Sequence, residues 1–541
     1  MLQATICWIP GCLVFFRDVF ASGFDRIGGD DADARLVVVL HEHWINVFRG
    51  RASWTSPDFF FPVKGTLGYA DTLFLDEIIY APLRAMGLDP FLAFEWTVIL
   101  LSLVGFAGFF VLCRRELAIG VGVSFALSSA FAFANNLNII SVHPQLYSIF
   151  WLPLLLLLGL GAVRSPRRSR RLLWGVMAGL LLGLILFSTY YICWFIVLAA
   201  VVFAIVYVPL QVVRLGWRRC LEFIRSRVAP LVGFGAGTIV GLVPFFVVYL
   251  PVLRLNGGRT YEQVMSYAPS PRDVLNLGES NYLWGSAVRA HVPTEHLTNT
   301  ETSLAVTPVL VLLAVGAMLV AVRLWRSKEV EIWTRLCVSA GMTALVLALL
   351  PIKFGFGSLW RVPWILMPGA EGIRAIGRAE IVVAPIVCLT AALGLAMIAR
   401  IPRGSARRVR ALSLGLGVLV ALGAVEQLNL GKFARIDRSR ENERLSEAPQ
   451  PPPNCRSFFI IDREMLSFVA NIDAMVLAVH LGIPTVNGYS GQYPPGYVLL
   501  DMADPAYFAN VRAWAAANDA EDGLCSYDTV AKVWLPAPPP S

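Results

Sequence analysis

The sequence predicts an all-α membrane protein of about eleven transmembrane helices, followed by a small C-terminal α/β region. Its composition is the first reason. Of the 541 residues, 57% are hydrophobic and only 15% are charged, whereas soluble domains carry about 25% charged residues. The second reason is that long apolar runs alternate with short arginine-rich stretches. This is the pattern of a chain that crosses a bilayer repeatedly.

The predicted spans are apolar runs of about 17 residues or more, the length that crosses the hydrocarbon core. They cover residues 2–18, 92–113, 119–136, 145–163, 172–188, 190–213, 229–251, 303–323, 336–352, 379–399 and 411–428. The first span has the weakest pattern, because Pro10 interrupts it and Arg17 and Asp18 close it early.

Lysine and arginine are unevenly divided between the two sets of loops. One set holds 21 of these residues in short stretches, and the other holds 14 over far more chain. Since cytoplasmic loops are enriched in positive residues, we place the dense set and the N-terminus in the cytoplasm. The loop 19–91 and the C-terminal region are then outside it. Topology thereby explains the net charge of +8, and no nucleic acid partner is expected.

Two domains follow from this topology: a transmembrane domain over 1–428 and an extracytoplasmic region over 429–541. Within the second, 457–462 reads as a short strand and 465–482 as an apolar helix. Cys455 and Cys525 both lie in this region, where export permits a disulfide. The sequence leaves open whether the two cysteines pair.

The first predicted external loop carries a cluster of aspartates at residues Asp30, Asp31 and Asp33. A carboxylate held where a span ends can act as a general base toward a hydroxyl group. Alternatively, such a cluster simply caps a helix in water. A helix that starts at Asp33 would bring three further polar side chains near one side, namely Arg35, Glu42 and His43.

Other external loops carry candidates for substrate contact. Arg374 and Arg378 lie in the loop 353–378, and guanidinium groups bind phosphate through paired hydrogen bonds. Alternatively, the two side chains reach lipid headgroups at the end of a span. His143 lies in the short turn 137–144, and Asp71 follows a glycine- and aromatic-rich stretch. The loop 252–302 carries three further candidates, Glu262, Arg272 and Glu301.

The order of these parts resembles the GT-C superfamily of membrane glycosyltransferases: one span, a long acidic external loop, many further spans and an external domain. More narrowly, short motifs along almost the whole chain resemble those of a largely uncharacterised bacterial branch of GT-C-like proteins. The motifs are Asp33-x-Arg35-Leu36 with Glu42-His43, Tyr69-Ala-Asp71, His143-Pro-Gln145 ahead of Trp151-Leu-Pro153, Gly372-Ile-Arg374 with Gly377-Arg378, and Asn487-Gly-Tyr-Ser-Gly491 with Pro494-Pro495.

The resemblance implies an inverting glycosyltransferase of the bacterial cell membrane. Its expected partners are a polyprenyl-phosphate-linked sugar donor, membrane lipids and an extracytoplasmic glycan, lipid or protein acceptor. In GT-C enzymes an aspartate of the first external loop acts as the base, which selects Asp33, with Asp30 and Asp31 as alternatives. The implied substrate- and phosphate-binding residues are Arg35, Glu42, His43, Asp71, His143, Arg374 and Arg378.

No metal site is predicted, because His41 and His43 are two positions apart and do not share a helix face. A divalent cation is the one cofactor left open. Two other functions also stay open: a transporter or lipid-handling protein, and a GT-C-like protein that binds glycans without catalysis. A transporter would place ionisable residues deep within the spans, whereas Glu95, Glu380 and Glu426 lie near span ends.

Overall fold

The computed structural model describes residues 2–297, 299–325, 330–355, 357–400, 406–462 and 465–536, with the backbone alone described for 406–414. Eight described helices are long and apolar enough to cross a membrane. They are Pro90–Glu116, Val121–Val142, Pro144–Arg164, Arg168–Ser188, Tyr190–Leu215, Val228–Asn256, Glu331–Leu349 and Ile376–Ile398. This confirms a helical multi-pass membrane protein.

Three predicted spans correspond to shorter apolar helices, so the count of eleven stays a prediction. These shorter helices are Leu2–Phe15, Pro308–Arg323 and Gly415–Val425. A fourth short apolar helix, Ser467–Leu481, lies in the C-terminal region, where the sequence predicts a helix over 465–482.

The N-terminal segment, which precedes the first long span, contains short helices and one strand. Its elements are α1 (Leu2–Phe15), α2 (Arg17–Ala21), β1 (Arg26–Gly28), α3 (Asp33–Phe48) and α4 (Glu77–Ala85). The helix α3 follows a glycine turn and buries most of its length, including Val38, Val39 and Trp44. It therefore lies within the protein, where its few polar side chains need partners.

The membrane body continues with eight helices that pack side by side. They are α5 (Pro90–Val111), α6 (Val121–Ala132), α7 (Asn135–Ile139), α8 (Leu152–Arg164), α9 (Arg168–Ser188), α10 (Tyr190–Leu215), α11 (Trp217–Ser226) and α12 (Val228–Asn256). Glycines let α9 and α12 approach closely, since a Cβ at Gly183 would collide with the backbone of Gly241. Small residues serve this purpose at helix interfaces in membranes.

The second half of the membrane body follows α12. Its elements are α13 (Tyr261–Met265), α14 (Gly285–His291), α15 (Thr294–Leu297), α16 (Pro308–Arg323), α17 (Glu331–Leu349), β2 (Lys353–Phe354), β3 (Gly357–Ser358), α18 (Arg361–Leu366), α19 (Glu380–Ile398) and α20 (Ala406–Val425). Glu426 accepts hydrogen bonds from the backbone N–H groups of Val309 and Leu310, at 3.0 and 2.9 Å. This carboxylate therefore caps α16.

The C-terminal region is a small α/β unit, as predicted. It contains β4 (Ala434–Asp437), α21 (Arg438–Glu447), β5 (Ser457–Ile461), α22 (Ser467–Leu481), α23 (Tyr507–Ala517), β6 (Leu524–Asp528) and β7 (Val533–Pro536). In its sheet, β5 and β6 are parallel and β6 and β7 are antiparallel. Cys455, ahead of β5, and Cys525, in β6, form a disulfide, which is one of the alternatives that the sequence leaves open.

The C-terminal unit contacts the N-terminal segment through a pair of strands and a pair of helices. The strand β4 pairs antiparallel with β1, with Arg26 opposite Asp437 and Ile27 opposite Ile436. The helix α22 packs against α3. The C-terminal region therefore covers the segment that carries the aspartate cluster.

Candidate active site

Asp33 is positioned by the first turn of α3. The side chain of Asp30 accepts hydrogen bonds from the backbone N–H groups of Ala32 and Ala34, at 3.2 and 3.3 Å, and so caps this helix. Asp33 begins the helix and heads one of its faces, because residues three, four and seven positions apart lie on one side. The members of this face are Asp33, Leu36, Val37 and Leu40, and all four line a cavity.

The cavity has a volume of about 500 Å³ and is enclosed by segments that are distant in sequence. Its charged lining consists of Asp33, Asp71, Arg259, Glu371, Arg374 and Arg378. One apolar wall comes from α12 through Phe245, Phe246, Tyr249, Leu250, Val252 and Leu253. Phe246 and Leu253 are each 51% exposed, so this wall continues onto the outer surface of α12.

Two side chains contact Asp33: His143, between the second and third long spans, and Gln145, at the start of the third. The Nδ1 atom of His143 lies 2.7 Å from Asp33 Oδ2, and Gln145 Nε2 donates to the same oxygen at 3.1 Å. No described residue forms a hydrogen bond with Oδ1, the other oxygen of this carboxylate. Asp33 therefore keeps one oxygen available to a molecule in the cavity.

His143 links Asp33 to a second ion pair. Its Nε2 atom lies 3.4 Å from Glu301 Oε1. Arg378 holds Glu301 with both arms of its guanidinium, since Nε donates to Oε2 at 2.8 Å and Nη2 donates to Oε1. Asp33, His143, Glu301 and Arg378 therefore form a continuous chain of alternating charge, which we call the Asp33 cluster.

The Asp33 cluster favours the charged form of its members. Burial raises the pKa of Asp33, but the hydrogen bonds and charge of His143, with Gln145 and Arg378, lower it below the usual value. Burial lowers the pKa of His143, yet its contacts with Asp33 and Glu301 raise the pKa overall. At neutral pH Asp33 is therefore a carboxylate.

Arg374 and Arg259 are the cavity cations that form no ion pair with a described carboxylate. The Arg374 guanidinium lies over the ring of Tyr267, 4.8 Å from its centroid, and Arg259 Nη2 donates to the Gly491 carbonyl at 3.0 Å. Burial and the positive charge of Arg374 lower the pKa of Arg259. Two guanidinium groups without a direct ion-pair partner among the described residues therefore line the same cavity and can bind an anion.

Asp71 supplies a second carboxylate on the cavity wall. It accepts a hydrogen bond from the backbone N–H of Tyr190 at 3.1 Å. Burial raises its pKa to about 6, although Tyr190 and Arg378 oppose this shift. Near neutral pH, Asp71 can therefore accept a hydrogen bond or, when protonated, donate one.

The C-terminal region closes the cavity with the segment 489–493, which we call the tail loop. Tyr489, Ser490 and Tyr493 of this loop line the cavity. Ser490 Oγ donates to the Tyr69 carbonyl, and Asn256 Nδ2 donates to the Tyr493 carbonyl at 2.7 Å. The two tyrosine side chains are half-buried and present aromatic surface to the cavity.

The structure brings together Asp33, Asp71, Arg374 and Arg378 in one cavity, with His143 directly behind Asp33. The other predicted residues are placed differently. Asp30 caps α3, and Asp31 is exposed.

Arg35, Glu42 and His43 are not among the described residues that line the cavity. Arg35 is buried and forms ion pairs with Glu441, at 3.2 Å, and with Asp473 of the C-terminal region. Glu42 accepts from Arg84 Nε at 2.5 Å and from the Tyr80 hydroxyl at 2.6 Å.

His43 Nε2 lies 3.3 Å from the Trp54 carbonyl. The side chains of these three residues therefore hold the fold, and substrate contact is not the role that the geometry gives them. The reason is that each points away from the Asp33 face of α3 toward another segment of the protein.

Arg259 and Glu371 are charged cavity residues that sequence reasoning missed. The position of Arg259 has a local explanation. Arg259 follows Gly257 and Gly258 in an external loop, and a Cβ at Gly258 would collide with Glu371. The adjacent glycines let this loop pass close to the loop ahead of α19. A glycine pair directly before an arginine in an external loop was therefore the available signal.

Among the residues that the structure describes, no group of three or more histidine, cysteine, aspartate or glutamate side chains is arranged to hold a metal ion.

The asparagine side chain of Asn135, near His143, has structural partners. Asn135 Nδ2 donates to the Leu277 carbonyl at 2.8 Å, and its Oδ1 accepts from Asn281 and Asn429 at 3.0 and 2.9 Å.

No protein-family model and no curated protein sequence matches the chain. Solved structures do match it. The apo oligosaccharyltransferase of Archaeoglobus fulgidus aligns with a TM-score of 0.50 and 13% identity, over 97% of this chain and 68% of that one. The mycobacterial arabinofuranosyltransferase AftD aligns with a TM-score of 0.42 and 14% identity, over 85% and 29%.

ArnT of Cupriavidus metallidurans bound to undecaprenyl phosphate aligns with a TM-score of 0.39 and 13% identity, over 89% of this chain and 85% of that one. The match to the archaeal enzyme extends over almost the whole chain and concerns the fold alone. The chain therefore has a fold like that of the archaeal oligosaccharyltransferase, which agrees at the level of architecture with the GT-C likeness that the motifs suggested.

Proposed function

We propose that this chain is a membrane glycosyltransferase that moves a sugar from a polyprenyl-phosphate donor to a hydroxyl group of an extracytoplasmic acceptor, with inversion. One observation carries the proposal. A carboxylate with a free oxygen, Asp33, and two unpaired guanidinium groups, Arg374 and Arg259, open on one cavity whose apolar wall reaches the outer surface of the protein.

The donor fits this arrangement of charge and apolar surface. Its phosphate would lie at Arg374 and Arg259, which stabilise the negative charge of the departing lipid phosphate. Its isoprenoid chain would follow the exposed side of α12 past Phe246 and Leu253 into the bilayer. Asp71 would bind a hydroxyl group of the donor sugar, because it can accept or donate a hydrogen bond near neutral pH.

The transfer needs a single displacement. The acceptor oxygen forms a bond to the anomeric carbon while the bond from that carbon to the phosphate oxygen breaks, and the phosphate leaves with the bonding electrons. The acceptor proton moves to Asp33, which we propose as the general base. A phosphate leaving group needs no strong acid, so cations suffice on the donor side.

The acceptor would enter beside the tail loop. Tyr489 and Tyr493 present aromatic faces on the cavity wall, and such faces bind the apolar side of a sugar ring. Asp33 and Arg374 both act electrostatically on the Tyr489 hydroxyl, so this side chain lies near the proposed base. A glycan is therefore the acceptor class that this surface fits.

We place the site on the extracytoplasmic side of a bacterial cell membrane. The arginine-rich loops belong to the opposite side by the charge rule. The disulfide between Cys455 and Cys525 supports this orientation, because such bonds persist outside the reducing cytoplasm. No step is routed through a metal ion, and adding EDTA to the transfer assay tests the divalent cation that the sequence leaves open.

The test compares Asp33→Asn with Asp31→Asn in protein reconstituted into liposomes with undecaprenyl-phosphate-linked sugars and a glycan acceptor. We expect Asp33→Asn to lose transfer by about 100-fold or more, because it removes the base. Asp31→Asn makes the same chemical change on an exposed side chain two positions away and should keep transfer. Transfer that survives in Asp33→Asn would exclude Asp33 as the base.

Binding of undecaprenyl phosphate is measured in parallel. Wild-type protein that binds this lipid but transfers no sugar would favour a glycan-binding protein without catalysis. Wild-type protein that neither binds the lipid nor transfers sugar would contradict the proposed function altogether.

A further inference from the structure

Besides the proposed base Asp33, the Asp33 cluster contains three further ionisable groups, and their role is not explained by base catalysis alone. His143 faces Asp33 through Nδ1 at 2.7 Å and Glu301 through Nε2 at 3.4 Å. A neutral imidazole has one N–H group, so one of its nitrogens would turn a lone pair toward a carboxylate. The cation donates from both nitrogens, and it is the form that fits both contacts.

Arg378 completes the balance of charge. Its Nε and Nη2 atoms engage both oxygens of Glu301, in the paired geometry that is strongest between guanidinium and carboxylate. Glu301 is thereby kept ionised, because Arg378 and His143 lower its pKa well below the usual range. The four members carry two positive and two negative charges, which sum to zero.

We propose that His143, held as an imidazolium between Asp33 and Glu301, is the positioning residue that fixes the base with Oδ1 available to the acceptor, and that Arg378 acts through Glu301 rather than on the donor phosphate. The inference rests on the proposed function. It divides the two arginines that share one loop. Arg374 forms no ion pair with a described carboxylate and is assigned to the phosphate, whereas Arg378 supports the base.

This arrangement also determines where the proton goes. His143 already carries its full complement of protons, so Asp33 cannot pass the acceptor proton to it. Asp33 therefore holds that proton until the product leaves and then releases it to water. The imidazolium stays in place throughout and keeps Oδ2 occupied.

The charged and titratable groups that face His143 come from every segment around it. They are Asp33 and Asp30 at the start of α3, Glu301 ahead of α16, and Arg378 ahead of α19. Asp33 and Glu301 raise the pKa of His143, and the positive charge of Arg378 lowers it. Removing Glu301 or Arg378 should therefore move the pKa in opposite directions, which a purely structural role would not produce.

The experiment follows the imidazole resonances of ¹⁵N-histidine-labelled protein in nanodiscs across pH, with His143 assigned by its loss in His143→Gln. We expect a midpoint above the ordinary value of about 6.5 for the wild type. Glu301→Gln should lower this midpoint by about one unit, and Arg378→Gln should raise it. Glu301→Asp retains a carboxylate and should restore most of the wild-type midpoint.

A wild-type midpoint at or below the ordinary value, or shifts of the same sign in both variants, would overturn the proposal. The titration needs no substrate, so it can succeed or fail independently of sugar transfer. Where transfer is observed, its rate should fall as pH rises through the His143 midpoint, and in Glu301→Gln this decline should begin at lower pH. Binding of undecaprenyl phosphate should stay close to wild type in Arg378→Gln.

Discussion

Two ion clusters flank the first turn of α3, and they differ in whether they open on the cavity. The side chains of Asp33 and His143 in the Asp33 cluster are 22% and 18% exposed. The Arg35 cluster lies toward the C-terminal region and consists of Arg35, Glu441, Arg444 and Asp473, with Arg35 and Asp473 each 2% exposed. Each cluster contains two cations and two anions, and their members on α3, Asp33 and Arg35, are two residues apart.

The difference lies in access from the cavity. Arg35 Nε and Arg444 Nε also lack a hydrogen-bond partner, but both atoms are buried, so the Arg35 cluster is closed to a substrate. In the Arg35 cluster, both cations contact both anions, with Arg444 Nη2 at 2.7 Å from Glu441 and Arg444 Nη1 bound to Asp473. In the Asp33 cluster, Oδ1 of Asp33 has no described partner. A closed cluster holds two segments together, whereas an open cluster can accept a substrate. The comparison therefore indicates which of the buried charged residues are candidates for catalysis.

The largest expected effect comes from breaking the closed cluster. Arg35→Met leaves Asp473 and Glu441 buried with Arg444 as their remaining cation, and removing one partner of a buried ion pair costs about 3–5 kcal/mol. We expect the midpoint of thermal unfolding in detergent to fall sharply. Arg440→Met, on the exposed side of α21, is the matched control and should unfold like wild type. Equal unfolding of the two variants would show that the Arg35 cluster does not hold α3.

A smaller effect is expected on the open side of the cavity. Arg374→Ala removes an unpaired cation and should weaken binding of undecaprenyl phosphate by about 1.5–3 kcal/mol, or roughly 10- to 100-fold in Kd. Arg361→Ala is the control, because Arg361 also stacks over a tyrosine, at 4.7 Å from the Tyr261 ring, but is exposed on α18. Binding measured by native mass spectrometry should separate them. Equal affinities would remove Arg374 from the phosphate site.

The smallest effect concerns Asp71. Its pKa is raised from 3.8 to about 6 in the folded protein, so the charged carboxylate costs stability above pH 6. This cost shrinks as the pH falls and is lost below pH 3.8, where both states become protonated. Asp71→Asn should therefore raise stability by on the order of 1–2 kcal/mol at pH 8 and leave it nearly unchanged at about pH 3. Thermal unfolding across pH measures this, with Asp31→Asn as control. A stability gain that is equal at both pH values would contradict the assignment.

Hydropathy alone predicts the membrane body and the C-terminal unit, because both depend on local pattern. The convergence of Asp33, Asp71, Arg374 and Arg378 is also predicted, since charge topology places their loops on one side. The role of Arg35 could not be predicted from the sequence. Helical periodicity separates it from Asp33, but its partners Glu441 and Asp473 lie more than 400 positions later in the chain.

Arg259 was hidden for a related reason, and Glu301 could not be told from the other candidates of its loop. That loop carries several charged residues of similar local context, and only the folded structure shows which ones reach the cavity or the Asp33 cluster. Local sequence determines which side chains are reactive, whereas tertiary contacts determine which of them remain unpaired.

The tail loop ties the cavity to a segment that is synthesised late. Ser490 donates a hydrogen bond to the Tyr69 carbonyl, 421 positions earlier in the chain, and the loop follows all the described membrane helices in order of synthesis. During translation the helix that carries Asp33 is made long before this loop. Until the tail loop folds onto the cavity, the cavity therefore lacks the wall that Tyr489, Ser490 and Tyr493 provide.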